Sequence, residues 1–377
     1  MFYWLFYEKL FHYYSPFRLF QYSTVRTAMA SLTAFLLTIL LGPWFISRLR
    51  QYQIGQPIRE DGPQSHQKKA GTPTMGGLLI VLSVIVPTLL WANLRVPSVW
   101  VALTGLVSFG AVGLLDDYLK IKRKHNLGLT VAQKFTLEIM AAMLVGILLL
   151  AMSTVGAYST SLNVPFAKNF KPDLLIHPWL HNPWTYPLAF VGFFVFLVLV
   201  LVGSSDAVNL TDGLDGLAIG LMIVAAGAMT VLSFLSGNAD FARYLELART
   251  PGASELTIYC GALTGASLGF LWYNAHPAEI FMGDVGSLAL GGGLGTVAVL
   301  LKQELLLPFI GGVYVIEAVS VILQVGSYKL RKKRIFKMAP IHHHFEQIGW
   351  AESKVITRFW IAGLIMALFA LTTLKLR

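Results

Sequence analysis

A chain of 377 residues could build two or three soluble domains, but 55% hydrophobic against 13% charged residues and a mean hydropathy of +0.64 exclude that arrangement, since a soluble globular chain carries about 25% charge. The composition is that of an integral membrane protein. Its formal net charge of +10, from 29 Lys+Arg against 19 Asp+Glu, is explained first by basic residues in cytoplasmic loops, so nucleic acid is not an expected partner.

The first 25 residues are rich in aromatics (Phe2, Tyr3, Trp4, Phe6, Tyr7, Phe11, Tyr13, Tyr14) and are interrupted by Glu8, Lys9 and Arg18. They lack the short apolar core and small-residue cleavage site of a secretory signal. They read as an interfacial segment leading into the first span, with rings at headgroup depth. Apolar runs then recur near 27–47, 74–94, 97–115, 131–151, 187–204, 214–235, 257–273, 286–302, 306–326 and 355–374. Each is about long enough to cross a bilayer core, and none alternates as barrel strands do. The expected fold is an all-α polytopic membrane protein of about ten transmembrane helices, one integral domain over 1–377. Cys260 sits in the seventh run and has no second cysteine to pair with.

Loops after the odd-numbered spans hold Arg48, Arg50, Arg59, Lys68, Lys69, Lys120, Lys122, Arg123, Lys124 and a cluster at Lys329, Arg331, Lys332, Lys333, Arg334 and Lys337. Those after even-numbered spans are poorer in Lys and Arg, which places the odd loops in the cytoplasm and both termini in the periplasm. Loop 152–186, with Pro165, Pro172, Pro178 and Pro183, reads as an ordered periplasmic cap. There is no internal repeat.

The unusual polar residues then gather on the cytoplasmic side, in expected loops 116–130, 205–213, 274–285 and 327–354, with Asp215 in the helix that follows the second of these. Carboxylates at a membrane boundary are costly unless solvated, paired or bound to metal. Asp116, Asp117 and Asp284 offer hard oxygen ligands of the kind Mg²⁺ takes beside phosphate oxygens and water. Adjacent aspartates on a helix point about 100° apart, so Asp116 and Asp117 have different tasks; Asp-Asp alone is equally a solvated helix end. Lys120 and Lys124 lie one turn apart, and Lys69 precedes the flexible stretch Gly71–Gly77. Cations so placed suit phosphoryl transfer, although for most of the Lys and Arg residues topology is sufficient reason. The 329–337 cluster serves topology or anionic headgroups. His342, His343 and His344 diverge too strongly for one metal ion; they suit hydrogen bonding or acid–base work at a phosphate or sugar, with surface histidines as the alternative. The sequon Asn209-Leu210-Thr211 falls in a cytoplasmic loop, and Gly291-Gly292-Gly293 reads as close helix packing.

Five stretches carry a family resemblance: Gly71-Thr72-Pro73-Thr74-Met75-Gly76-Gly77, Asp116-Asp117-Tyr118, Asn209-Leu210-Thr211-Asp212-Gly213-Leu214-Asp215-Gly216, Phe281-Met282-Gly283-Asp284-Val285-Gly286-Ser287 and Met338-Ala339-Pro340-Ile341-His342-His343-His344. Together, from about residue 25 onward, they resemble the phospho-N-acetylmuramoyl-pentapeptide-transferases, and the His triplet favours these over related polyprenyl-phosphate N-acetylhexosamine-1-phosphate transferases. The resemblance implies transfer of phospho-MurNAc-pentapeptide from UDP-MurNAc-pentapeptide to undecaprenyl phosphate in the bacterial inner membrane, with Mg²⁺ as cofactor and UMP released. It implies Asp284 as main metal ligand with Asp117 beside it, Asp116 as the residue activating the lipid phosphate, and His343 as a further catalytic residue. Lys69, Thr74, Asn209, Asp212, Asp215, Asn274 and Phe281 fall to the donor pocket, with Phe281 a stacking face for uracil. Lys120 and Lys124 fall to the diphosphate, and His342 and His344 to substrate contact. One position departs from the family: Asp206 stands where an Asn is usual, so a carboxylate either joins the metal environment or faces away. A homodimer fits a bundle of this kind, though no residue proves it. Two rival functions are a transferase using a UDP-hexosamine without peptide, and a transporter of an anionic lipid-linked substrate; the latter would call for midplane ionisable groups and broken helices related by repeats.

Overall fold

The computed structural model describes residues 1–52, 71–123, 128–165, 167, 170–182, 184–245, 247, 250 and 252–375. Each apolar run forms a helix: α1 (Ser23–Gln51), α2 (Gly77–Trp91), α3 (Pro97–Arg123), α4 (Val131–Thr154), α5 (Val191–Thr211), α6 (Leu217–Gly237), α7 (Ala253–Asn274), α8 (Gly283–Leu300), α9 (Gly312–Arg331) and α10 (Glu352–Thr372). Among the described residues there is no strand, only an isolated bridge between Ser161 and Asp173. Nine of these helices, α5 together with the turn from Tyr186, are long and apolar enough to cross a membrane. The protein is a multi-pass, all-α membrane protein. The exception is α2, whose 15 residues reach only about 22 Å.

The shortness of α2 has a local cause. Residues 73–77 pair with the start of α8 instead of continuing the helix: Gly76 N–H donates to Phe281 O (2.9 Å), Gly77 N–H to Met282 O (2.8 Å) and Phe281 N–H to Pro73 O (2.8 Å). At this crossing Gly77 meets the main chain of Gly286 so closely that a Cβ on Gly77 would collide with it. Two motifs some 200 residues apart are thereby joined through backbone alone.

Burial separates central helices from peripheral ones. Every residue of α8 from Val285 to Leu300 is buried, enclosed by α2, α3 and α5, as an all-apolar helix in a bundle interior must be. By contrast α1 buries Arg26, Ala30, Ala34, Thr38, Gly42, Ile46 and Leu49, a single stripe at helical spacing that faces α7. The last buried residue of α9 is Ser320, and beyond it Ile322, Leu323, Val325 and Tyr328 are exposed.

Two expected loops are helical. α3 runs through Asp116 and Asp117 to Arg123, and α5 runs through Ser205, Asp206 and Asn209 to Thr211. Their polar side chains find partners across the bundle, so the chain has no need to leave the helix to satisfy them. Asp215, expected inside a helix, lies in the turn before α6, whose start at Leu217 follows Gly216 at φ 78°.

At the other end of the molecule, Phe20 and Phe2 pack on Trp91 and Phe6 stacks on Phe17 and Phe20, so residues 1–21 lie against the bundle. Thr160 Oγ1 donates to Asp173 Oδ1 (2.6 Å) and Lys302 Nζ to Tyr158 OH (2.7 Å), tying the described part of segment 152–186 to the end of α8.

Candidate active site

Four helices bring their polar ends to one point. Asp116, Asp117 and Lys120 come from the C-terminal part of α3, Lys134 from the first turn of α4, Asn209 from the last turn of α5 and Asp284 from the first turn of α8. The start of α4 is set by a capping box, in which Thr130 Oγ1 accepts Gln133 N–H (3.2 Å) and Gln133 Oε1 accepts Thr130 N–H (3.0 Å). That fixes where Lys134 leaves the helix.

The geometry is that of a shared charge. Lys120 Nζ lies 2.6 Å from Asp116 Oδ2, 2.7 Å from Asp284 Oδ2 and 3.7 Å from Asp117 Oδ1. Lys134 Nζ lies 3.4 Å from Asp284 Oδ2 and donates to Asn209 Oδ1 at 3.1 Å. The Asn209 amide in turn donates to Asp284 Oδ1 (2.7 Å) and Ser287 Oγ (2.8 Å). Each remaining carboxylate oxygen with a backbone partner uses a helix or loop end: Leu129 N–H donates to Asp116 Oδ1 (2.7 Å) and Val285 N–H to Asp117 Oδ2 (3.1 Å). The latter contact needs Gly283, which has φ 72° and whose absent Cβ would press on Asp117 Oδ2 and Thr74 Oγ1. Asp116 and Asp117 are 3% and 4% exposed, so the centre concentrates three acids with two ammonium groups at the edge of an apolar bundle. One oxygen from each of Asp116, Asp117 and Asp284 lies within 4.8 Å of the other two, a spacing and donor chemistry that could hold a hard cation.

Asp212, just past the end of α5, adds to this negative field. Burial first, and then the charges of Asp284, Asp117 and Asp215, push its carboxyl up to about 8. Asp206, half-buried on α5, lies within electrostatic reach of Lys134, Asp284 and Glu138.

A second polar group lies beside the first. Asp215 Oδ2 accepts Ala278 N–H (3.1 Å) and sits 3.2 Å from His276 Nδ1, while Glu352 Oε1 accepts Asp215 N–H (3.2 Å). Asn274 accepts Gly216 N–H at 3.1 Å and donates to Ile280 O at 2.8 Å, so both ends of its amide brace the turn before α6. Phe281 lies between the backbone pairs that join α2 to α8, next to Thr74.

The three histidines part company on the short helix Ile341–Gln347. His342 is fully buried, with its ring against Gly213 and Nδ1 3.1 Å from Glu317 Oε2. His343 Nδ1 lies 2.7 Å from Glu346 Oε2, and His344 Nδ1 accepts Lys337 N–H at 3.1 Å. Lys69 and Lys124 lie outside the described residues. The sequence reading missed Lys134, Glu138, Glu317 and Glu352, and gave no role to His276. For Glu317 a signal existed, since a lone acid inside an apolar run is a functional candidate by default.

The profile of Glycosyl transferase family 4 matches residues 99–302, a stretch that contains the carboxylate centre and the turn before α6. The chain is thus a membrane-embedded glycosyl transferase of that class. Residues 69–81 match the phospho-N-acetylmuramoyl-pentapeptide-transferase signature 1. Phospho-N-acetylmuramoyl-pentapeptide-transferases of Solibacter usitatus, Koribacter versatilis and Acidobacterium capsulatum are 64%, 63% and 64% identical to the chain, each over the full length of both proteins. The chain belongs to the phospho-N-acetylmuramoyl-pentapeptide-transferase family.

Proposed function

We propose that the protein transfers phospho-MurNAc-pentapeptide from UDP-MurNAc-pentapeptide to undecaprenyl phosphate, forming lipid I and releasing UMP at the cytoplasmic face of the bacterial inner membrane. An oxygen of the lipid phosphate attacks the sugar-linked phosphorus of the donor. The bond from that phosphorus to the bridging oxygen breaks, and UMP leaves with the oxygen. The observation that carries this reading is the centre at Asp116, Asp117, Lys120, Lys134, Asn209 and Asp284, in a chain whose relatives bear that activity's name along their whole length.

Asp116 faces the acceptor phosphate in this reading, holding it for attack and taking its proton when it arrives protonated. Lys120 and Lys134 meet the diphosphate oxygens, since their ammonium groups already bridge the acids that would otherwise repel an anion. Asp284 and Asp117 suit Mg²⁺ by donor type and mutual distance. When bound, the ion offsets charge on the diphosphate and on departing UMP. Asn209 orients Asp284 through its amide. Lys69, Thr74, Asp212, Asp215, Asn274 and Phe281 are assigned to the donor pocket and Lys124 to the diphosphate with Lys120, while His343 works from the neighbouring short helix. The basic loops and the many Lys and Arg of this face support a cytoplasmic site with both termini outside.

The test is UMP release by the detergent-purified protein, given UDP-MurNAc-pentapeptide with and without undecaprenyl phosphate and Mg²⁺. Release that needs both lipid and metal is the expected result. No release from a monodisperse preparation, but release from a UDP-hexosamine lacking peptide, would move the assignment to the related transferases. Failure with every such donor would leave transport as the reading.

A further inference from the structure

We infer that Glu317, an acid within the membrane-spanning helix α9, is a positioning residue for the reaction, acting through His342 on both the donor turn and His343. This rests on the transferase reading above and adds a residue to it.

Glu317 and His342 are both 0% exposed. A carboxylate inside a membrane bundle is costly without a partner, and among the described residues this one meets a single polar residue from outside its helix. His342 Nδ1 lies 3.1 Å from Oε2, and the His342 backbone N–H donates to the same oxygen at 3.5 Å. The acid therefore bonds the first turn of the short helix Ile341–Gln347 and lies against the ring as a charge, while both ring nitrogens and Glu317 Oε1 are buried without a hydrogen bond among the described residues. Its own helix is tied to α6 at this level, because Tyr314 OH donates to Ala218 O at 2.7 Å.

The ring against Glu317 touches two parts of the site. Its Nε2 edge faces Gly213, where any Cβ would collide with it, and Gly213 follows Asp212 in the donor turn. On the other side the ring packs on that of His343, with centroids 4.1 Å apart. A tilt of the His342 ring thus moves the donor turn and His343 together, whereas neither contact involves the acceptor side at Asp116. His342, expected to touch substrate, is instead fully buried, a wedge between the acid, Gly213 and the His343 ring.

The test is steady-state UMP release by the full-length protein carrying Glu317→Gln, which keeps the side-chain shape and removes the charge. We expect kcat to fall and the donor KM to rise by on the order of tenfold, as when an outer hydrogen-bond partner of an active group is lost, with the lipid KM unchanged. His342→Asn keeps a donor near the Nδ1 position and should retain most activity, while His342→Gln, which places its amide near Nε2, should not. The double variant Glu317→Gln with His342→Gln should be no worse than the weaker single variant. Wild-type kinetics in Glu317→Gln, additive losses in the double variant, or equal loss in the Asn and Gln variants of His342 would overturn the inference. A uniform loss with a rising lipid KM would likewise mark a general folding defect. Absence of UMP release from the unmodified protein would instead sink the transferase reading itself.

Discussion

Two buried charge groups occupy opposite ends of this bundle and are built on opposite plans. At the end near the chain's N-terminus, Arg26 is 3% exposed and grips Glu255 with both arms, Nη1 to Oε2 and Nη2 to Oε1, each at 2.7 Å. Asn93 N–H adds a third bond to that carboxylate at 2.7 Å, and the guanidinium lies 4.5 Å from the Tyr3 ring. One cation serves one acid, in the fork geometry that suits Arg. At the other end Lys120 is divided among three acids and Lys134 leans on one of the same three. No acid there has a cation to itself. The first arrangement pairs both carboxylate oxygens within the protein and ties α1 to α7, with Arg26 Nε alone left without a hydrogen bond among the described residues. The second is short of positive charge, which is the condition for taking up a cation and cradling a diphosphate between ammonium groups.

Breaking the closed pair should give the largest effect, and it should be on stability. Arg26→Leu leaves Glu255 buried without its cation, a loss of about 3–5 kcal/mol, measured as a fall in thermal midpoint in detergent. Turnover per folded molecule should stay as it was; a matching loss of turnover would mean that the two ends are coupled. Replacing Arg26 and Glu255 together by apolar residues should cost far less, because neither charge is left behind.

The open centre should respond the other way. Asp284→Asn removes the acid that meets Lys120, Lys134 and Asn209, and UMP release should fall by about a thousandfold with the thermal midpoint little changed. Near-normal turnover would remove Asp284 from the metal site. Asp116→Asn should lower kcat by about a hundredfold, the lower part of what a general base supplies, and should affect donor binding less. Equal losses in kcat and donor affinity would make Asp116 a binding group and not a proton acceptor.

The contrast also explains what could be read from the chain alone. Ten apolar runs located ten helices, because bilayer length is written in composition. The carboxylate centre was legible because Asp116, Asp117 and Asp284 sit in compact motifs that the topology puts on one face. Lys134 was not, since its partners are 75 and 150 residues away and it stands alone among its neighbours as a cation, with no acidic or Gly-rich motif beside it to mark a site. Arg26 with Glu255, 229 residues apart, escaped for the same reason. The helix ends were misplaced at 116 and 205 because a polar stretch after an apolar run resembles a loop until its partners across the bundle are known. His342 shows the limit of motif reading: three identical neighbours received similar roles, yet one is buried on Glu317 while the next two bond to Glu346 and Lys337.

The smallest effect concerns two acids outside the spans whose environments shift them in opposite directions. Burial alone would raise Asp173 in the segment between α4 and α5, but the Thr160 hydroxyl, His177 and Leu175 N–H hold it below the usual carboxylate range. It therefore adds stability at neutral pH that is lost as pH falls through its folded-state value. Asp212 is raised to about 8 by burial and by its acidic neighbours. The native state then holds a proton that the unfolded chain has released, so stability falls as pH climbs from the ordinary carboxylate range toward 8 and levels off above it. Asp212→Asn should abolish that fall. With metal chelated, the variant should gain stability over the wild type at pH 8 relative to pH 5.5, by on the order of 1 kcal/mol because the partly exposed side chain is screened. An equal difference at both pH values would mean that Asp212 titrates as an ordinary acid. The field of the three carboxylates would then stop short of the turn before α6, and the imbalance that sets this end apart from Arg26–Glu255 would be confined to the Lys120 contacts.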